Sequence, residues 1–211
     1  MKETWRKGLL VAGVACAAGA GYLASKAVHQ GGHVRGPAVK AATVLNDTRP
    51  LPPFSMRGPS GEFTNDNLKG KWTFVFFGYT HCPDVCPTAL SLLRDVRGKV
   101  AAAGGTLPEV VFVSVDAGRD TPELLGRYVP AFDPSFKGVT GSDEALAPLV
   151  KTLGVFYERH EKDDPRNYLV DHSAAMYLID PQGRLKALFM PPIPAERMAE
   201  DYQALTGGGV R

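Results

Sequence analysis

The chain has 211 residues, is 44% hydrophobic, and sets 24 Lys and Arg against 22 Asp and Glu for a formal net charge of +2. That length bounds it to one ordinary domain plus an appendage. Its cationic residues are interspersed with acidic ones, which excludes the basic block that tracks a nucleic-acid backbone. Three cysteines are too few for a disulfide-stapled scaffold.

Lys2, Arg6 and Lys7 precede an uncharged run, LLVAGVACAAGAGYLAS, at residues 9–25. As a helix it reaches about 25 Å, the short end of a membrane span. A cleaved signal peptide is the rival reading, but the run outlasts a usual signal core, so residues 1–28 are expected to be an uncleaved anchor. Cys16 lies inside this run and is expected to be a small apolar residue there. Gly13 stands where a lipid-attachment pattern wants a Leu-like residue. Residues 29–53, with Gly31, Gly32, Gly36, Pro37, Pro50, Pro52 and Pro53, lack apolar periodicity and are expected to be linker.

Residues 54–211 have the pattern of a compact α/β domain. FSMRGPSGEFT predicts a hairpin turning at Gly58-Pro59-Ser60-Gly61. WTFVFFG, residues 72–78, is a continuous apolar run and predicts a strand buried on both faces. A helix is predicted over 88–103 and a second buried strand over 109–116. Thr121 followed by Pro122 opens a further helix to about 129, and Ser142 caps another that ends before Gly154. VFYERH, AAMYLID and RLKALFM predict strands, the last two joined by a turn at Asp180-Pro181-Gln182-Gly183. A helix over 195–205 closes the chain. This order predicts one central mixed sheet flanked by helices, with function in the loops at the carboxyl ends of its strands.

Such a loop holds the sequence FGYTHCPDVCP, residues 77–87. Pro87 fits the first turn of the following helix, which places Cys86 at or near the N-cap and Cys82 one turn earlier. The helix dipole then favours thiolate at both sulfurs. That suits redox attack and metal binding alike. Structural zinc or an iron–sulfur cluster ordinarily takes four protein ligands, and this domain has no further cysteine. Cu(I), content with two or three soft ligands, remains open, as does a redox dithiol. Of the nearby histidines, His81 is adjacent to Cys82 and points away from its neighbour's pocket. His160 lies in the charged YERHEKDDPR stretch, expected to be an exposed hairpin. His172 precedes an apolar strand, where ligand and structural readings are evenly matched on spacing alone.

FGYTHCPDVCP, VSVDAGRDTPELLGRY, TGSDEALAPLVKTLGVFY and VDHSAAMYLIDPQGRL together resemble the Sco/SenC family of copper-binding assembly proteins, over residues 54–205. The resemblance implies a thioredoxin-like fold with an N-terminal β-hairpin extension. It implies one copper ion, Cu(I) and also Cu(II), held by residues that fall on Cys82, Cys86 and His172, with Cys82 and Cys86 a disulfide in the oxidised form. Asp116 and Asp171 are the candidates for orienting the histidine ring, and Asp120 for capping a helix. Ala117 stands where the family has proline, which bears on loop stiffness more than on ligands. Thioredoxin oxidoreductases place a proline before the strand that faces their dithiol; here that place holds Asp171-His172-Ser173.

The implied function is metallochaperone work for the CuA centre of cytochrome c oxidase, from a domain tethered on the periplasmic side of the inner membrane. The implied partners are the oxidase copper-centre subunit, other copper chaperones and thioredoxin-like reductants. A thiol–disulfide oxidoreductase acting on the oxidase cysteines, and a copper or redox sensor, are the competing readings.

Overall fold

The fold is built around a strand that can only be interior. Thr73–Gly78 (β4) has all six residues buried, as a continuous apolar run requires. The computed structural model describes residues 39–45, 49–160 and 167–207. The expected anchor over 1–28 and the first part of the expected linker lie outside them. Among the described residues no helix is long and apolar enough to cross a membrane.

The other strands, in chain order, are Ala42–Val44 (β1), Ser55–Gly58 (β2), Gly61–Thr64 (β3), Glu109–Ser114 (β5), Lys137–Thr140 (β6), Tyr157–Arg159 (β7), Val170–His172 (β8), Met176–Ile179 (β9) and Leu185–Phe189 (β10). The helices are Val85–Ala102 (α1), Pro122–Tyr128 (α2), Asp143–Leu153 (α3) and Ala195–Thr206 (α4). Eight strands form one mixed sheet in the order β1-β10-β9-β4-β5-β6-β2-β3, while β7 and β8 form a separate antiparallel ribbon. The three central strands run parallel, β4 to β5 to β6, and β9 lies antiparallel on the other side of β4.

Local chemistry accounts for most boundaries. The hairpin β2–β3 turns between Gly58 and Gly61, with Gly61 at φ 109°, a conformation that favours glycine. Thr121 and Ser142 accept from the backbone N–H groups of Leu124 and Ala145 and so cap α2 and α3. Along α1 the buried positions are Cys86, Ala89, Leu90, Leu93, Val96 and Val100, the three- and four-residue spacing of one helix face. Cys86 opens that stripe, which is why it is drawn under the helix while Cys82, one turn earlier, stays at the rim.

Three features differ from expectation. Helix α1 begins at Val85 with Asp84 as its N-cap, earlier than the expected start at residue 88, so Cys86 lies near the cap but inside the first turn. β6 went unread because four residues beginning Lys-Gly carry little pattern. The stretch expected to be linker contributes β1, which pairs with β10 through Ala42↔Phe189 to Val44↔Ala187. Leu51 is buried as well, and its N–H donates to the Gly183 carbonyl. Isolated short apolar residues among prolines give no periodicity to read, yet they complete a sheet edge.

That edge is held by one carboxylate. Asp201 of α4, nearly fully buried, accepts from the N–H groups of Lys40, Ala41 and Ala42 at 2.7–3.0 Å. Asp201→Ala strands these donors and is expected to cost about 2–4 kcal/mol. A chemical denaturation series measures the loss, and hydrogen exchange at residues 42–44 localises it. Unchanged exchange there would contradict the clasp.

Candidate metal centre

The β4–α1 loop brings Cys82 to the surface, the first turn of α1 sets Cys86 beneath it, and the end of β8 brings His172 across from them. Cys86 Sγ lies 3.3 Å from His172 Nε2, and the Cys86 N–H donates to Cys82 Sγ at 3.4 Å. The two sulfurs and a ring nitrogen of His172 all lie within 4.8 Å of one another. A trigonal first-row ion with bonds of about 2.0–2.3 Å spaces its ligands roughly 3.5–4 Å apart. The donor set and its spacing therefore suit an ion with little movement. Both cysteines are free thiols, Cys82 half-buried and Cys86 buried. Cys82 and His172 open on a cleft of about 220 Å³ that Tyr79, Val85 and Leu169 also line.

Close packing fixes the deeper sulfur. A side chain at Gly78, the last residue of β4, would place its Cβ 2.5 Å from Cys86 Sγ and 2.9 Å from the Phe112 ring. Only glycine leaves room there for the sulfur. The histidine is fixed by rings, edge-on to both Phe76 and Tyr79 at centroid distances of 5.9 Å. Its Nδ1 lies 3.1 Å from the Ser173 carbonyl oxygen. A carbonyl only accepts, so Nδ1 carries the proton in that bond and Nε2 presents its lone pair to the sulfurs.

Electrostatically the two thiols are unlike. Cys82 is lowered to about 3, first by the hydrogen bond from the Cys86 thiol and, against the opposing effect of burial, by bonds from the backbone of Cys86 and Asp84. Cys86 is driven upward by the same pairing, then by burial, with the Asp120 charge adding to the rise. The pair therefore holds one negative charge at Cys82 and one proton at Cys86. An incoming cation meets a preformed thiolate and displaces a single thiol proton.

The remaining candidates divide. His81 Nδ1 lies 3.1 Å from Thr80 Oγ1, and His160 Nε2 lies 3.0 Å from Asp171 Oδ2; neither joins the sulfur cluster. Asp171 was expected to orient the His172 ring. Successive strand residues point to opposite faces, so its exposed carboxylate faces His160 and the Ser173 carbonyl takes the orienting place. Asp116 does not touch His172. It is buried, accepting from Tyr168 Oη at 2.5 Å and Arg119 Nε at 2.6 Å. Asp120 was expected to be a helix cap, but Thr121 caps α2. Asp120 instead accepts from the Thr80 N–H, the Thr80 hydroxyl and the Ser114 hydroxyl, tying the cysteine loop to β5. Sequence reasoning missed Arg119. An Arg-Asp pair in a loop after a buried strand was the available signal.

A family profile described as SCO1/SenC matches residues 45–207. The chain is 42% identical over 131 residues to the mitochondrial SCO1 homolog 1 of Arabidopsis thaliana, covering 62% of this chain and 39% of that one. It is 37% identical over 158 residues to a SCO2-like protein of Rickettsia prowazekii, covering 72% and 74%. Thus the chain spans well under half of the plant relative and about three quarters of the bacterial one. Among solved structures it resembles Arabidopsis thaliana ScoI with copper bound at a TM-score of 0.70 and 34% identity, covering 76% of this chain and 99% of that one. It also resembles apo Sco1 of Thermus thermophilus at 0.69 and 40%, covering 81% and 99%. Copper-bound yeast Sco1 is similar at 0.69 and 29%, covering 76% and 90%. The fold is the thioredoxin-type mixed α/β fold expected from the motifs. On the extent of the profile match and on these likenesses, the chain belongs to the SCO1/SenC family.

Proposed function

We propose that this protein binds one copper ion as cargo through Cys82, Cys86 and His172 and delivers it to the copper-centre subunit of cytochrome c oxidase. The observation that carries this is the convergence of two sulfurs and one imidazole nitrogen at a half-open cleft. Two thiolates and an imidazole form a soft donor set that suits Cu(I). The Arabidopsis and yeast relatives described with copper bound support the choice of metal. The apolar run at residues 9–25 would tether the domain on the periplasmic side of the inner membrane, within reach of that partner.

Transfer follows from the unequal burial of the ligands. Cys82 stands at the rim, so an incoming thiolate of the partner displaces it first. His172 and then the buried Cys86 release the ion, and Cys86 takes back a proton. The surroundings suit a protein acceptor. Val85, Phe156 and Leu169, exposed by 43%, 58% and 58%, are three of the five exposed large hydrophobic side chains among the described residues. They stand on the cysteine loop and on or beside the ribbon that carries His172. Val85 and Leu169 line the cleft itself, and exposed apolar groups at or beside an exchange site favour transient docking.

The test is to mix the copper-loaded protein with the reduced, metal-free copper-binding domain of the oxidase subunit. The expected result is copper appearing in the acceptor, with Phe156→Asp slowing transfer about tenfold through lost docking. The second reading, a thiol–disulfide oxidoreductase, is favoured by the depressed thiol of Cys82 beside its buried partner. It predicts that metal-free reduced protein restores thiols to an oxidised acceptor while the loaded protein transfers no copper.

A further inference from the structure

The ribbon that carries His172 belongs to neither edge of the eight-stranded sheet. Strand register fixes β4, and with it the start of the cysteine loop, but register does not place His172 relative to the sulfurs. Something outside the strand ladder must.

Arg119, in the loop between β5 and α2, occupies that place. Its Nε donates to Asp116 Oδ2 at 2.6 Å, and one terminal nitrogen donates to the Tyr168 carbonyl at 2.9 Å. Its guanidinium carbon lies 3.5 Å from the centroid of the Tyr168 ring, whose hydroxyl donates to the other Asp116 oxygen at 2.5 Å. Tyr168 is two residues before β8. The same guanidinium lies 5.7 Å from the Tyr79 ring, and that ring stands edge-on to His172. One cation thus touches both the segment leading into the histidine strand and a ring against which the histidine leans. The opposite strand, β7, is fastened independently by Arg159, which donates to the Val115 carbonyl and to Asp143. Loss of Arg119 therefore leaves the ribbon attached through β7, to which β8 stays paired, and removes the hold on the segment that leads into β8.

The other terminal nitrogen of Arg119 is buried with no partner among the described residues. A buried cation with an unfilled donor gains little stability over an apolar side chain of similar size. What a planar guanidinium supplies that an apolar group does not is fixed direction, with donors in its plane and a face for stacking.

We propose that Arg119 is a positioning residue for the third ligand, holding β8 through Tyr168 so that His172 Nε2 stays over the sulfurs. This rests on the three-ligand copper reading. Without the clamp the site keeps both sulfurs and loses the imidazole for part of the time.

The experiment measures Cu(I) affinity of the reduced full-length protein, in mild detergent, by competition with a chromogenic chelator. Wild type is compared with Arg119→Met, His172→Ala and the double variant. Arg119→Met is expected to weaken binding about tenfold, in the range for groups that orient a metal ligand. The double variant is expected to be no weaker than His172→Ala alone, because Arg119 acts only through the histidine. In the Cu(II) form, the imidazole nitrogen coupling in the electron paramagnetic resonance spectrum should diminish in Arg119→Met and vanish in His172→Ala. Tyr168→Phe, which removes only the hydroxyl bonded to Asp116, should shift both readouts the same way by a smaller factor, and it serves if Arg119→Met folds poorly. Wild-type affinity and nitrogen coupling in Arg119→Met, or losses that multiply in the double variant, would overturn the proposal. If His172→Ala itself leaves copper binding intact, the three-ligand reading fails and the inference falls with it, a result distinct from inert Arg119.

Discussion

Between pH 5 and pH 8 the rate at which iodoacetamide labels Cys82 in the reduced protein is expected to stay flat. The group is lowered to about 3, so its charged form is already complete at pH 5 and nothing is gained by raising the pH. An ordinary thiol near 8.5 loses about tenfold in thiolate per unit below its pKa, roughly 10³ by pH 5. The plateau itself should be modest, since a thiolate of low basicity is a weaker nucleophile. Cys86, buried and holding the shared proton, should label slowly throughout. Cys86→Ala removes the first cause of the depression, so the pH dependence of Cys82 should return. Peptide-resolved mass spectrometry reads each site separately, and a labelling midpoint near pH 8 at Cys82 of the wild type would contradict the unequal pair.

Asp120→Ala is expected to lower stability by about 3–5 kcal/mol, because it removes a buried carboxylate and orphans its donors. The residue is fully buried, with the Thr80 and Ser114 hydroxyls at 2.6 Å and the Thr80 N–H at 2.9 Å. For a domain of this size that corresponds to a fall of about 10 °C or more in Tm. The cysteine loop should loosen with it, since Thr80 is two residues from Cys82. Asp120→Asn separates the two roles: it keeps one acceptor and removes the charge. Because that charge helps hold the proton on Cys86, the Asn variant should release it at lower pH. A Tm within a few degrees of wild type for the Ala variant would show that the loop is fixed elsewhere.

The parts of the fold legible in the sequence were those where one signal dominates. The apolar run Thr73–Gly78 can only be interior, and Thr121 and Ser142 announce their helices by side-chain caps. What stayed hidden depends on distant partners. β1 is three residues of ordinary polarity that become a strand because β10 and Asp201 wait for them. The site shows the same division. Spacing alone marked Cys82 and Cys86 as a pair, since four residues is one helical turn. It left His172 evenly balanced between ligand and structural histidine, and the family motif was needed to single it out. The structure brings its Nε2 to 3.3 Å from Cys86 Sγ across 86 residues of chain. The support beneath the histidine was illegible for the same reason: Asp171 looked well placed as its neighbour, but strand alternation turns it outward, and Arg119, which bonds the segment leading into β8, comes from the β5–α2 loop.

Whether Cys82, Cys86 and His172 together hold one copper ion is read by an anaerobic Cu(I) titration of the reduced full-length protein. Wild type is set beside Cys82→Ala, Cys86→Ala and His172→Ala. One tight copper per chain is expected, weakened about 10²–10³-fold on loss of either sulfur and about 10²-fold on loss of the imidazole. Equal affinity in wild type and both cysteine variants would contradict it, and equal affinity in His172→Ala alone would reduce the site to a dithiol.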